Sequence, residues 1–307
     1  MPAQEIRIGT RGSPLALAQA HETRARLAAA LSLPEAAILI VPIRTSGDRI
    51  TDRPLIEAGG KGLFTKEIDE ALLAGAVDIA VHSAKDMPTA LPDGMVIAAT
   101  LPREDTRDAL LSPKATSLAA LSKGAILGTS SLRRKAMALR ERPDLRVVDL
   151  RGNVDTRIRK LDEGIADATV LAMAGLNRLG LAARASGVLE GHGWLPAVAQ
   201  GTIAIVARSG DTMNLERLAR IDHCDTSLAL RAERAFLAIL DGSCRTPIGG
   251  LAVIEGGEVH LRGVIVKPDG SAAHEASLSG SIGDAAEVGA EVGAVLRRAG
   301  GSGFFDG

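Results

Sequence analysis

Five short segments combine a basic side chain with small hydroxyl or amide residues. They are Thr10-Arg11-Gly12-Ser13-Pro14, His82-Ser83-Ala84-Lys85-Asp86-Met87-Pro88, Thr129-Ser130-Ser131-Leu132-Arg133-Arg134, Arg151-Gly152-Asn153-Val154-Asp155-Thr156-Arg157 and Asn177-Arg178. Singly, each reads as a capped helix start with a solvated basic neighbour. Taken together they describe a surface for anions, because the planar guanidinium pairs bidentately with carboxylate or phosphate. Such charge-assisted bonds contribute about 1.5–3 kcal/mol each before desolvation is subtracted. The ligand that fits carries several carboxylates or phosphates. The chain also holds 28 Arg against 8 Lys. A GC-rich genome gives the same bias, so it supports anion recognition only weakly.

Three further features carry chemistry. Asp86 is an anion set beside Lys85 and among the arginines. It would offset a transient cation on a ligand whose own carboxylates occupy the guanidiniums; outside that setting it is a turn residue before Met87-Pro88. Gly59-Gly60-Lys61-Gly62-Leu63-Phe64 is a glycine-rich loop with a basic tip. It lacks the GxxxxGK[ST] spacing of a phosphate loop. Cys244 lies in the turn Gly242-Ser243-Cys244-Arg245-Thr246-Pro247. Most lone cysteines are inert apolar residues, but this loop is expected to be exposed and Arg245 favours a thiolate. Cys224, after His223, reads as structural. Two cysteines give neither a disulfide framework nor a metal spacing.

The elements that position these groups follow from hydrophobic periodicity. Residues 5–9, 37–41, 77–81, 96–99, 125–128, 145–150 and 169–173 read as strands followed by helix-like segments. This alternation predicts α/β architecture, with parallel sheets covered by helices on both faces. Ligands bind beyond the carboxyl ends of such strands, where helix N-termini present free N–H groups. The five basic segments fall at those ends, and a cleft between two sheets would suit a polyanion. A charged, Pro-containing break at Thr100–Arg107 separates the sheets. From about Asp222 the pattern becomes α+β, with a helix at 226–240, strands at 250–254, 258–266 and 272–279, and a helix near 285–298.

Composition narrows the function. At 307 residues the chain is long enough for two or three domains, and its 46% hydrophobic and 24% charged residues are those of a soluble globular protein. Aromatics are 2%, with no Tyr, which disfavours base-stacking surfaces for nucleic acid. A net charge of −1 gives no overall pull toward DNA or an anionic membrane. The N-terminal residues lack the apolar run of a signal peptide, so a cytoplasmic protein is expected.

Six ordered motifs make the chain resemble the porphobilinogen deaminase (hydroxymethylbilane synthase) family. They are IGTRGSPLALAQ at 8–19, GGKGLFT at 59–65, VHSAKDMP at 81–88, GTSSLRRK at 128–135, LRGNVDTR at 150–157 and the Cys244 loop. The resemblance covers about residues 5 to 300. It implies a transferase of heme and other tetrapyrrole biosynthesis that condenses four porphobilinogen units into linear hydroxymethylbilane, releasing ammonia at each step. It implies a dipyrromethane cofactor joined by a thioether to Cys244, and Asp86 as the catalytic carboxylate. By match, Arg11, Ser13, Lys61, Ser83, Lys85, Thr129, Ser131, Arg133, Arg134, Arg151, Arg157, Arg178 and Gln200 bind cofactor and substrate, with no metal.

The implied fold is two α/β domains like those of type II periplasmic binding proteins plus a small C-terminal α+β domain. Its boundaries here are 1–101 with 202–221, then 102–201, then 222–307. A monomer, without nucleic-acid or membrane partners, is expected. Two departures stand out. Residues 196–202 read PAVAQGT where the family has PAPGQGA, and Ser243 replaces a glycine beside Cys244. A non-catalytic carboxylate receptor would share the first two domains but not the cysteine-bearing third.

Overall fold

The structure, a computed structural model, describes residues 5–49, 62–191, 193–240, 246–301 and 303–305. In chain order the first elements are β1 (Ile6–Arg11), α1 (Pro14–Leu31), β2 (Ile38–Ile43), α2 (Ser46–Arg49), α3 (Lys66–Leu73), β3 (Ile79–Ser83) and β4 (Met95–Thr100). Next come β5 (Asp108–Leu111), β6 (Ile126–Gly128), α4 (Leu132–Glu141), β7 (Arg146–Val148), α5 (Val154–Asp162), β8 (Ala168–Ala172), α6 (Met173–Arg178) and β9 (Gly187–Leu189). The last are β10 (Ile203–Arg208), α7 (Thr212–Ala219), α8 (Cys224–Ile239), β11 (Ile248–Glu255), β12 (Glu258–Val266), β13 (Ala273–Ser281) and α9 (Ala285–Gly300). The chain divides into two compact units, 1–103 with 202–227 and 104–201 with 228–307.

The first unit is built on a five-stranded sheet of order β2-β1-β3-β10-β4. In β1, Ile6 and Ile8 face a core shared with Ala20 and Leu27 of α1 and Leu218 of α7. Gly9 points to the opposite face, where a Cβ would stand 2.9 Å from Val77 and 3.4 Å from Ile68 of α3. Period-two alternation in one strand thus serves helices on both faces.

The second unit repeats the scheme with order β7-β6-β8-β5-β9. Leu110 of β5 joins Met137 of α4 in one core, while Ala109 and Leu111 join Ile158 and Leu161 of α5 in another.

Both sheets are mixed, which corrects the expectation of parallel sheets. β10 runs antiparallel to β3 and β4, and β5 runs antiparallel to β8 and β9. These strands leave little trace in the sequence. β5 is four residues, all buried, so it shows no alternation. β10 is almost wholly buried at the end of an uncharged stretch and gives no periodic signal.

The C-terminal part is an antiparallel meander, β11-β12-β13, packed by α8 and α9. Phe236 of α8 is fully buried, and a Cβ at Gly263 would stand 2.7 Å from its ring. Glycine on β12 therefore makes room for the largest side chain of this core. No described helix is long and apolar enough to cross a membrane.

Candidate active site

Strands β1, β2 and β3 are mutually parallel, so their carboxyl ends share one edge of the first sheet. Arg11 ends β1, and its guanidinium carbon lies 4.2 Å from the ring centroid of Phe64, a cation–π contact. Ser13 caps α1, its Oγ accepting the Ala16 N–H at 3.3 Å, and Pro14 opens the helix. β3 leads into a single 3₁₀ turn, Ala84–Asp86, whose Ala84 N–H donates to the Thr202 carbonyl at 3.0 Å. That turn puts Lys85 and Asp86, both half-buried, directly after the strand. Arg11, Ser13, Ser83 and Asp86 line one concavity of about 390 Å³, partly open solvent, together with Gln19, Phe64, Thr65 and His82. The Gln19 amide faces the Ser83 hydroxyl, donating to it at 2.9 Å and accepting from it at 3.0 Å.

His82, which also lines the concavity, is 5% exposed. Burial, with a smaller contribution from Arg11, lowers its pKa to about 4, so the ring is neutral. Its Nε2 makes no hydrogen bond and lies 3.7 Å from Asp69 Oδ1 on α3. Burial raises the pKa of Asp69 to about 6.

In the second unit, β6, β7 and β8 are parallel, and the other basic segments follow their carboxyl ends. Thr129 is buried, and its Oγ1 accepts the Ser131 N–H at 3.2 Å. Ser131 caps α4 through the Arg134 N–H at 3.4 Å, and Asn153 caps α5 through the Thr156 N–H at 2.9 Å. Arg151 Nε is 2.9 Å from Asp149 Oδ2. Arg157 Nε donates to the Gly152 carbonyl at 2.8 Å and Arg178 Nη2 to that of Gly201 at 3.0 Å.

Arg133 and Arg134 are more deeply placed than the capped-helix reading suggests, at 4% and 6% exposed. Both reach Asp108, the fully buried first residue of β5, at 2.8 and 2.7 Å. Gln200 Nε2 joins the same carboxylate at 3.0 Å.

Of the residues singled out from the sequence, the structure brings Arg11, Ser13, Ser83 and Asp86 to one concavity and gathers Arg133, Arg134 and Gln200 around Asp108. Lys85, Thr129, Ser131, Arg151, Arg157 and Arg178 take their places at strand-to-helix junctions. Lys61 and Cys244 lie outside the described residues, as does most of the 48–60 loop. Gln19, His82, Asp108 and Trp194 were missed. Gln19 is the most traceable of these, a polar residue on the buried face of α1 beside Ala16, Ala20 and Thr23. Asp108 opens an apolar run and looks like part of the charged break before it.

Fold and site together define a protein with two α/β sheets, each carrying a basic, hydroxyl-bearing edge, and a small C-terminal α+β part. Residues 6–216 match the model of the porphobilinogen deaminase dipyromethane cofactor binding domain, and residues 227–298 that of the porphobilinogen deaminase C-terminal domain. Porphobilinogen deaminase of Nitrobacter hamburgensis is 57% identical over 298 residues, covering 97% of this chain and 94% of that one. The protein of that name from Paracoccus denitrificans is 54% identical over 305 residues, covering 99% and 97%. Among solved structures, the methionine-binding protein MetQ aligns with a TM-score of 0.44 at 17% identity, covering 71% of this chain and 89% of that one. The chain belongs to the porphobilinogen deaminase family.

Proposed function

We propose that this chain condenses four porphobilinogen units into linear hydroxymethylbilane, with release of ammonia at each step, as a monomeric cytoplasmic transferase of tetrapyrrole biosynthesis. The observation that supports the reading most is the concavity of the first unit, which holds a guanidinium, Arg11, and a carboxylate, Asp86, in one wall. Porphobilinogen has the matching chemistry: acetate and propionate side chains on a pyrrole whose aminomethyl group must leave.

The residues also suit a dipyrromethane. The buried Arg133 Nε has no hydrogen-bond partner, and Arg151, Arg157 and Ser131 are the donor types a polyacid requires. Cys244, in the part spanning 222–307, would hold the group as a thioether; Arg133, Arg134, Arg151, Arg157, Thr129 and Ser131 would hold its carboxylates. When bound, it supplies the nucleophilic pyrrole α-carbon that starts the chain.

The chain's own groups then do the following. Arg11, Ser13, Ser83 and Lys85 bind and orient porphobilinogen through its carboxylates. Its aminomethyl C–N bond breaks, the electron pair leaving on nitrogen as ammonia. The positive charge left behind is shared between the methylene carbon and the pyrrole nitrogen, and the Asp86 carboxylate offsets it. As the new C–C bond forms at the methylene carbon, the attacking pyrrole α-carbon of the growing chain gives up its proton, for which Asp86 is the acceptor at hand. Gln200 and Arg178 secure the segments around this machinery, and Lys61 adds a cation from the glycine-rich loop.

The direct test is incubation of the purified chain with porphobilinogen, following ammonia and linear tetrapyrrole together. Four ammonia per product is the expected stoichiometry. Consumption of porphobilinogen with no ammonia released would refute the reaction.

A further inference from the structure

Asp108 has no solvent exposure, yet its carboxylate accepts four hydrogen bonds from three side chains. Its Oδ1 accepts from Arg134 Nε at 3.1 Å, Arg134 Nη2 at 2.7 Å and Gln200 Nε2 at 3.0 Å. Its Oδ2 accepts from Trp194 Nε1 at 3.0 Å and lies 2.8 Å from Arg133 Nη2. Backbone carbonyls take a further donor from each arginine, Leu195 from Arg133 at 2.8 Å and Val170 from Arg134 at 2.9 Å. The two guanidiniums are thereby fixed in plane and direction.

Charge is not balanced within this centre. Two guanidiniums face one carboxylate, so the three groups sum to +1, and one buried donor, Arg133 Nε, is left without a hydrogen bond. The two arginines overcome the burial of Asp108 and hold its carboxyl far below the usual carboxylate range. Burial and the neighbouring Arg134 pull Arg133 down, against the raising effect of Asp108. A buried cation without a full counter-charge is costly, and an incoming carboxylate would relieve it.

The bracing behind Gln200 supports the same reading. Ala199 has a left-handed backbone, with φ of 65°, and donates its N–H to Glu233 Oε2 at 2.5 Å. The other Glu233 oxygen accepts the Ala252 N–H at 2.7 Å. Helix α8 and strand β11, on either side of the Cys244 loop in sequence, are thus tied to the turn that aims Gln200 at Asp108.

We propose that Asp108 is a positioning residue for cofactor loading and substrate turnover: it directs the Arg133 and Arg134 guanidiniums and leaves the pair with capacity for one more carboxylate, that of the bound polyacid. This rests on the function proposed above. A structural staple alone would not need the excess charge, since a buried ion pair is generally replaceable by apolar packing.

The test compares Asp108→Asn and Gln200→Met with a control, Asp211→Asn, which weakens the 2.6 Å Arg208–Asp211 ion pair of the first unit. Three quantities are read: the fraction of purified chain carrying the covalent adduct by intact mass, KM against kcat for porphobilinogen, and the melting temperature. Loss of a charge-assisted contact predicts a KM about tenfold higher and a clearly lower adduct fraction for Asp108→Asn. Gln200→Met moves both in the same direction by a smaller factor. Asp211→Asn lowers the melting temperature and leaves adduct fraction and KM unchanged.

Adduct fraction and KM within twofold of wild type in both test variants, whatever their melting temperatures, overturn the proposal. If Asp108→Asn does not fold, Gln200→Met decides, because it removes the amide that donates to Asp108 at 3.0 Å and to the Thr106 carbonyl at 2.8 Å and buries no new charge. A wild-type chain that carries no adduct defeats the underlying function, a result distinct from equal loading of wild type and variants.

Discussion

Replacing Ala199 with glycine is expected to stabilise the chain. Ala199 has a φ of 65°, a conformation that costs a residue with a Cβ about 1–2 kcal/mol and glycine far less. Glycine returns part of that gain through the greater freedom of the unfolded chain, about 0.4–1 kcal/mol. The net is a stabilisation of about 0.5–1 kcal/mol, or about 1–3 °C in melting temperature for a chain of this size. The backbone has little room to escape the strain, because the Ala199 N–H is held by the buried Glu233 at 2.5 Å. The next residue, Gln200, must also keep its amide on Asp108 at 3.0 Å. The family pattern PAPGQGA has glycine at this position. Differential scanning calorimetry of Ala199→Gly beside wild type measures the effect. A melting temperature that falls or stays the same would refute the reasoning and mean that the turn around Gln200 is not under strain.

Three other outcomes are expected. Asp86→Asn keeps the covalent adduct but loses turnover by about 10²–10⁴, since it removes the charge opposite the developing cation; near-wild-type kcat would take Asp86 out of the mechanism. Asp69→Asn changes how stability depends on pH. The pKa of Asp69 is raised from 3.8 to about 6 in the folded chain, so its contribution is complete below about pH 4 and is lost as pH rises through 6. His82 runs the other way: its pKa falls from 6.5 to about 4, so its contribution is full above pH 6.5 and is lost on acidification. The aspartate offsets the histidine in wild type. The variant should therefore be more stable than wild type at pH 7 by about 2–3 kcal/mol and converge with it near pH 4. Urea midpoints across that range supply the check, and a difference independent of pH would contradict it. Finally, Cys224 is exposed and free, so Cys224→Ser should leave the adduct mass unchanged, whereas Cys244→Ser should abolish it.

Much of this architecture is written locally. The Ser13-Pro14 start, the Ser131 and Asn153 caps and the parallel strands before them are short-range signals, and a periodic pattern with a capping residue is enough to find them. What escaped is what only tertiary packing decides. β5 and β10 are buried on both faces, so their residues show no alternation that would mark an antiparallel strand. Arg133 and Arg134 look like two solvated cations after a cap. Their burial depends on Asp108, some 25 positions earlier in the chain, and on Trp194 and Gln200 arriving from a distant turn. Ala199 shows the converse. Its departure from the family pattern is visible in the sequence, but the cost becomes apparent only with the backbone angle and the Glu233 carboxylate that holds it.

The central claim is that Cys244 tethers the dipyrromethane primer on which porphobilinogen is condensed. Mass spectrometry of the intact purified chain, before and after addition of porphobilinogen, tests it most directly. The expected spectrum shows the polypeptide plus two linked pyrroles, then a ladder rising by one deaminated porphobilinogen at a time, with Cys244→Ser at the bare polypeptide mass. A wild-type chain at the bare mass that gains nothing from porphobilinogen would contradict the account.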